Sequence, residues 1–421
     1  MGQLTRRSLL AAAVLAAGGG ARADDQDAPG RPLWPWRPGG LDIHHIATGR
    51  GDSTLIIGPD GSSLMIDAGA AGTPAPPALP LRPDGGRRPG EWIGRYARRR
   101  LRDTGQAGLD VFLATHQHPD HIGDVGPESP PAPGGGYRLT GVSDVDALAP
   151  IGRLVDRGFP DYAEPAPSQA PFQQNYEAYV AARRAAGRSV ERFRPGALNQ
   201  LRRDPQARDD FRIRNLAVNG EVWTGQGEGA RRLFPPMAEL PATDVPEENA
   251  WSAAIALSYG AFDYFAAGDL TSSTFEGALP WRDVESAAAL AAGPVEVAVS
   301  PHHGMFDATG ARAVAALRPQ VWIISAWHAL HPSPSVLDRL FNGRLYPGPR
   351  AVFATGVDPA TAAASPWLSG RLASQGGHVV VRVAPGGGRF EVVITDNADE
   401  ADRVLAVFGP YPAGGGGAPP A

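Results

Sequence analysis

Residues 115–121, Thr-His-Gln-His-Pro-Asp-His, constrain this chain more than any other stretch. They set three imidazoles and a carboxylate, His116, His118, His121 and Asp120, on one short turn. The apolar run directly before them, residues 109–114, predicts a buried strand. A fold that accepts this segment must carry a strand to the rim of a sheet and open there into a polar turn. Imidazole nitrogen and carboxylate oxygen are the donors that hold Zn²⁺ and similar borderline cations. The alternation sorts them: His116 and His118 can face one metal while Asp120 and His121 turn toward a second. With 10 histidines in 421 residues, so dense a cluster points to metal binding rather than to an ordinary polar loop.

The composition mainly excludes. There is no Cys, which removes thiol nucleophiles, disulfides and cysteine-ligated zinc. There is also no Lys, so all 39 basic residues are Arg, and neither a Schiff-base lysine nor a Walker-type lysine is available. The net charge of −5 gives no overall drive toward nucleic acid or anionic membrane. Near the start, Thr5-Arg6-Arg7-Ser8-Leu9-Leu10 precedes the apolar run 11–17, and Ala21-Arg22-Ala23 offers small residues for cleavage. The pattern looks like a twin-arginine export signal over residues 1–23, too short to span a bilayer as a permanent helix. The expectation is a periplasmic protein without a permanent membrane span, delivered by the twin-arginine translocation machinery.

A Pro-rich lead-in occupies residues 24–40. Strands are predicted at 41–46, 53–57 and 62–67, followed by a helix over 91–103 whose arginines form a solvated face. Residues 126–245 break the rhythm and read as a loop-rich insertion around one helix at 172–193, a candidate lid. Strand-like runs return at 251–257, 262–267, 295–299, 321–325, 378–383 and 389–395. Residues 397–421 read as a C-terminal segment with a flexible Gly/Pro tail from about Pro410.

Four predicted strands end in polar clusters: Asp67, the 116–121 turn, Asp269, and His302 with His303. Polar residues at strand ends of a layered scaffold commonly build one site. Beside them stand Gly49-x-Gly51-Asp52-Ser53, Ile66-Asp67-x-Gly69, Asn249-x-x-Ser252, Gly268-Asp269, His302-His303-Gly304 and His331-Pro332. In that order and spacing the chain resembles the metallo-β-lactamase superfamily over most of residues 41–396, and within it the hydrolase domain attached to the competence protein ComEC.

The resemblance implies an α/β fold, an αββα sandwich with two divalent metals at one edge, zinc or else manganese. Carried over by position, His116 and His118 would hold the first metal and Asp120 and His121 the second. Asp269 would bridge them, and His303 would close the second site, although which of His302 and His303 ligates stays open. Asp67 would fix the turn by hydrogen bonding. Many members place a third histidine for the first metal between the signature and the Gly-Asp pair; here no His lies between His121 and His302. Asn249 could supply an amide oxygen instead, a poorer donor for zinc, so a single-metal enzyme stays open.

The implied function is an exported metal-dependent hydrolase in which activated water attacks a phosphodiester or related ester. Asp120 would orient the water, and His302 or His331 would assist the leaving group. The expected partner is a small-molecule or phosphoester substrate, and nucleic acid stays open although the net charge does not favour it. The alternatives are a lactonase or β-lactamase-like hydrolase, and a metal-binding or assembly module with a degenerate site. His44, His45 and His378 read as structural.

Overall fold

A computed structural model describes residues 26–72, 78–207 and 209–414 of the chain. The export-signal residues 1–23 lie outside the described residues. In chain order the strands are β1 (Leu41–His45), β2 (Thr54–Ile57), β3 (Ser63–Ile66), β4 (Leu109–Ala114), β5 (Ile151–Asp156) and β6 (Ser189–Arg192). Then come β7 (Phe211–Val218), β8 (Glu221–Trp223), β9 (Ala230–Arg232), β10 (Ala254–Tyr259), β11 (Phe262–Ala266) and β12 (Val297–Val299). The last six are β13 (Val321–Ile324), β14 (Ala351–Ala354), β15 (Ser374–Gln375), β16 (His378–Val383), β17 (Arg389–Thr395) and β18 (Val404–Pro412).

They form two nine-stranded sheets, ordered β18-β17-β16-β1-β2-β3-β4-β5-β6 and β15-β14-β13-β12-β11-β10-β7-β8-β9. One face of each sheet meets the other sheet. Leu41, Ile43, Ile56, Val111 and Leu113 pack there against Ile213, Ile255, Leu257, Tyr264, Val297 and Phe353. The outer face of the first sheet is covered by α1 (Pro89–Leu101), α3 (Gly141–Leu148) and α4 (Pro171–Ala185), α2 being the short turn Pro119–Ile122. The second sheet is covered by α5 (Val284–Ala292), α6 (Ala311–Leu317) and α7 (Pro334–Phe341). This is the expected αββα sandwich. Strands covered on both faces bury the side chains of both, and β1, β2 and β3 bury every residue, including the polar Asp42, His44 and His45. No helix among the described residues is long and apolar enough to cross a membrane.

Four expectations need correction. Residues 126–245 are not an appendage: they supply β5 and β6 to the first sheet and β7 to β9 to the second. The helix expected at 172–193 ends at Ala185, where Gly187 turns the chain at φ +72° into β6. The tail expected from about Pro410 is strand until Pro412, because β18 pairs along β17 from Thr395↔Val404 to Arg389↔Pro412. The arginines of α1 are also not simply solvated, since Arg95 and Arg99 bind Glu400 while Arg99 and Arg100 bind Asp402.

Parallel pairing sets where polar chemistry collects. β3, β4 and β5 run parallel in one sheet, and β11 to β14 run parallel in the other. Their carboxyl ends therefore share one rim, the usual place for ligands in α/β sheets.

Candidate metal centre

The turn that follows β4 is anchored before its imidazoles begin. Asp67, at the end of β3 and in left-handed backbone at φ +58°, accepts the Thr115 N–H at 2.8 Å and the Thr115 hydroxyl at 2.7 Å. Pro119 opens α2, placing Asp120 and His121 on a single helical turn. The Asp120 carbonyl accepts the Asp52 N–H at 2.8 Å. A Cβ at either Gly51 or Gly69 would stand 2.1 Å from that carbonyl oxygen, so both glycine motifs exist to let the backbone approach Asp120.

The second sheet supplies the facing half. Ala253 donates to the Thr115 carbonyl at 3.0 Å, joining the two sheets beside the turn. Asp269, just past β11, donates its N–H to Ser252 Oγ at 3.1 Å. His302 and His303 follow β12 in consecutive left-handed conformations, φ +50° and +53°. Such backbone is costly for non-glycine residues and clusters at functional sites. His303 Nδ1 donates to the Ser325 carbonyl at 3.1 Å, which turns its Nε2 inward.

Asp120, His121, Asp269 and His303 each offer one donor atom, and these atoms all lie within 4.8 Å of one another. Asp269 is central. Its Oδ1 is 3.2 Å from His121 Nε2, and its Oδ2 is 3.4 Å from His303 Nε2, 3.9 Å from His116 Nε2 and 4.0 Å from His302 Nε2. His303 Nε2 is 2.9 Å from Asp120 Oδ2, and His116 Nε2 is 3.2 Å from His118 Nδ1. Donors held tetrahedrally at about 2.0 Å from a zinc ion stand roughly 3.3 Å apart. The residues present fit a cation by that measure. They also fit by satisfaction: His121 Nε2, Asp269 Oδ1 and Asn249 Oδ1 are buried without a hydrogen-bond partner. His121 Nδ1 is 2.7 Å from Asp67 Oδ2, the carboxylate–imidazole pairing that directs the other ring nitrogen at a metal.

The charges lead the same way. Burial disfavours the imidazolium of His121, yet Asp269, Asp67 and Asp120 outweigh it and hold its pKa well above the ordinary range. Burial likewise opposes the charge on His303, but Asp269 and Asp120 push its pKa up to about 10. Asp269 is buried too, and His121 and His303 nonetheless hold its carboxyl well below the usual range. His116 goes the other way: burial, then His121, pull its pKa well down, leaving a neutral ring. The cluster thus calls for positive charge between its carboxylates, which protons or a divalent cation can supply.

The remaining expected residues fall around this core. His118 and Asp120 are half-buried, at the open side. His302 Nδ1 donates to Asp307 at 2.9 Å, and its Nε2 accepts from Asn249 Nδ2 at 3.2 Å. His331 stacks on His303 with ring centres 4.9 Å apart, and Trp327 stands edge-on to both. The structural histidines keep away: His44 contacts Tyr96, His45 contacts Thr54, and His378 accepts the Ala47 N–H. Sequence reasoning missed Asp307, Glu248 and Arg157, and it quoted Ser252 in a motif without giving it a role. Asp307, four residues past His303, and Ser252, ending the Asn249 motif, were within reach of a local reading; Glu248 and Arg157 meet across 91 residues.

Residues 47–128 match the family model described as the metallo-beta-lactamase superfamily. That span contains the Gly49–Ser53 turn, Asp67 and all of His116 to His121, and over it the chain is similar to that superfamily. No curated protein matches the chain. Among solved structures it is similar to a protein from Parabacteroides distasonis whose name, metal-dependent hydrolase, is provisional. The two are 13% identical with a TM-score of 0.34, over 75% of this chain and 92% of that one.

Proposed function

We propose that this protein is an exported, divalent-metal-dependent hydrolase of phosphodiesters or related esters, with ComEC-like chemistry. The observation that carries the reading is Asp269, whose two buried carboxylate oxygens face the imidazoles of His121 and His303 from the other strand tips. His116 and His118, with Asn249, would hold one ion; Asp120, His121 and His303 would hold another; Asp269 would serve both. Zinc suits this nitrogen and oxygen set, and manganese suits its carboxylates. When bound, such ions supply Lewis acidity toward a substrate oxygen and a water that ionises near neutral pH.

The chain's own residues do the rest. Asp120, half-buried at the open side, orients the attacking water and accepts its proton at a carboxylate oxygen. His302 Nδ1 is held by Asp307, and its Nε2, once protonated and released from Asn249, would give that proton to the leaving oxygen. His331 lies against the far face of His303 with its Nδ1 free of partners, the second candidate for that proton. Trp327 excludes water behind both rings.

A neutral lactone or ester is the second reading, favoured by how the nearby arginines are engaged. Arg157 is bound to Glu248, Arg50 to the Gly49 and Leu79 carbonyls, and Arg339 to the Phe306, Ala308 and Thr309 carbonyls. None of these three offers an open guanidinium to a phosphate.

The test is turnover of a bis-aryl phosphate, a chromogenic lactam and a lactone by protein stripped of metal and then reloaded. Metal-restored hydrolysis of the phosphate, lost in His118→Ala with the fold intact, is expected. Preference for the lactone or lactam would select the second reading. Stoichiometric metal without turnover would leave a binding module and defeat the proposal. Export is tested by fractionation, with Arg6→Ala and Arg7→Ala together expected to retain the protein in the cytoplasm.

A further inference from the structure

The turn between β4 and α2 is held by two carboxylates, and only Asp67 belongs to the motifs read from the sequence. The other is Glu248. Its Oε1 accepts the backbone N–H of Gln117, the residue between His116 and His118, at 2.7 Å. Both Glu248 oxygens are gripped by Arg157, through Nε at 2.6 Å and through Nη2. The pair is nearly closed to solvent, with side chains 4% and 12% exposed. Arg157 is itself fixed: its Nη1 donates to the Glu164 carbonyl at 3.0 Å, and its own carbonyl accepts Asn219 Nδ2 at 2.9 Å.

The two carboxylates divide the turn. Asp67 takes the Thr115 N–H and His121, on the side of the Asp120–His121–Asp269–His303 cluster. Glu248 takes the alternate amide, Gln117, on the side of His116 and His118. Glu248 also opens the single turn Glu248–Trp251 that carries Asn249, whose Oδ1 is buried without a partner and whose Nδ2 reaches His302. One carboxylate thus sets the amide of the residue between two imidazoles and the backbone next to the side-chain amide standing where a third imidazole is missing. A bidentate guanidinium cancels its charge, so the carboxylate positions without competing for the cation.

We propose that Glu248, clamped by Arg157, is the positioning residue for the His116–His118–Asn249 half of the metal centre. The inference rests on the two-ion reading above. Partners one step behind a metal ligand commonly set affinity by about 10- to 100-fold.

The test is competition of Zn²⁺ against a chromophoric chelator on the metal-stripped full chain. Wild type should show two binding steps. Glu248→Gln should weaken one step by about 10- to 100-fold and leave the other unchanged. Arg157→Lys, which keeps the charge but loses the bidentate fork, should weaken the same step by less; it also serves if Glu248→Gln fails to fold. Asp146→Asn is the control. It breaks a comparably buried pair, between Asp146 on α3 and Arg183 on α4, and should lower stability while moving neither step. Both steps unchanged in Glu248→Gln and Arg157→Lys, or both weakened equally, would overturn the proposal. A wild type that binds one ion would overturn it as well, and one that binds none would defeat the hydrolase reading from which it starts.

Discussion

One backbone oxygen, the Asp120 carbonyl, accounts for two glycines, because a Cβ at Gly51 or Gly69 would overlap it. Gly51 also sits at φ +133°, so Gly51→Ala combines strain with a collision. We expect a loss of about 2–3 kcal/mol in the metal-free protein, read from its urea unfolding midpoint. An unchanged midpoint would refute the contact. A second residue sets a pH signature away from the metal centre. His378 accepts the Ala47 N–H at 3.0 Å, and burial pulls its pKa down to about 4 from an ordinary 6.5. Above pH 6.5 its contribution to stability is fully present. Between 6.5 and 4 the unfolded chain binds the extra proton, so the contribution falls as pH falls. His378→Gln keeps an acceptor without titrating, and it should flatten the slope of stability against pH in that window by about 1.4 kcal/mol per unit. Equal slopes in the two proteins would contradict this.

Elements are joined by charge as well as by apolar faces. Helix α1 buries Ile93, Tyr96 and Leu101 against the first sheet, while its arginines reach the loop before β18. Asp402 is fully buried between Arg99 and Arg100, whereas Glu400 is about a third exposed. Removing the buried partner leaves two guanidiniums half-satisfied. Asp402→Asn should therefore cost about 2–3 kcal/mol, after allowance for the partly exposed arginines, and Glu400→Gln less than about 1. Equal effects in chemical denaturation would show that burial does not govern the pairing. The apolar stripe of α1 and the run at β4 were legible because burial writes a period into adjacent residues. β6 was not: its four residues sit at a sheet edge with exposed ends and carry no buried period. β7 and β8 were hidden by the Gly- and Pro-rich connections around them, so sheet strands looked like an insertion. At the candidate metal centre the donor types were legible in one heptapeptide, where the chemistry is local. Glu248 lies 131 residues from the amide it accepts, and no spacing announces such a contact.

At the scale of the whole molecule, neither sheet owns the centre. Asp67, His116, His118, Asp120 and His121 come from the first sheet, and Asp269, His302 and His303 come from the second. An ion bound between them would join the two layers and stabilise the native state by mass action. Zinc at 100 times its dissociation constant should add about 2.7 kcal/mol, and Asp269→Asn should abolish most of that gain. A thermal midpoint insensitive to zinc would argue that the two rims do not share an ion. The most direct test is anomalous diffraction at the zinc edge from crystals of the reloaded protein. The account predicts a strong peak enclosed by Asp120, His121, Asp269 and His303, with a second beside His116 and His118. Zinc bound elsewhere, or no peak between the two strand rims, would contradict it.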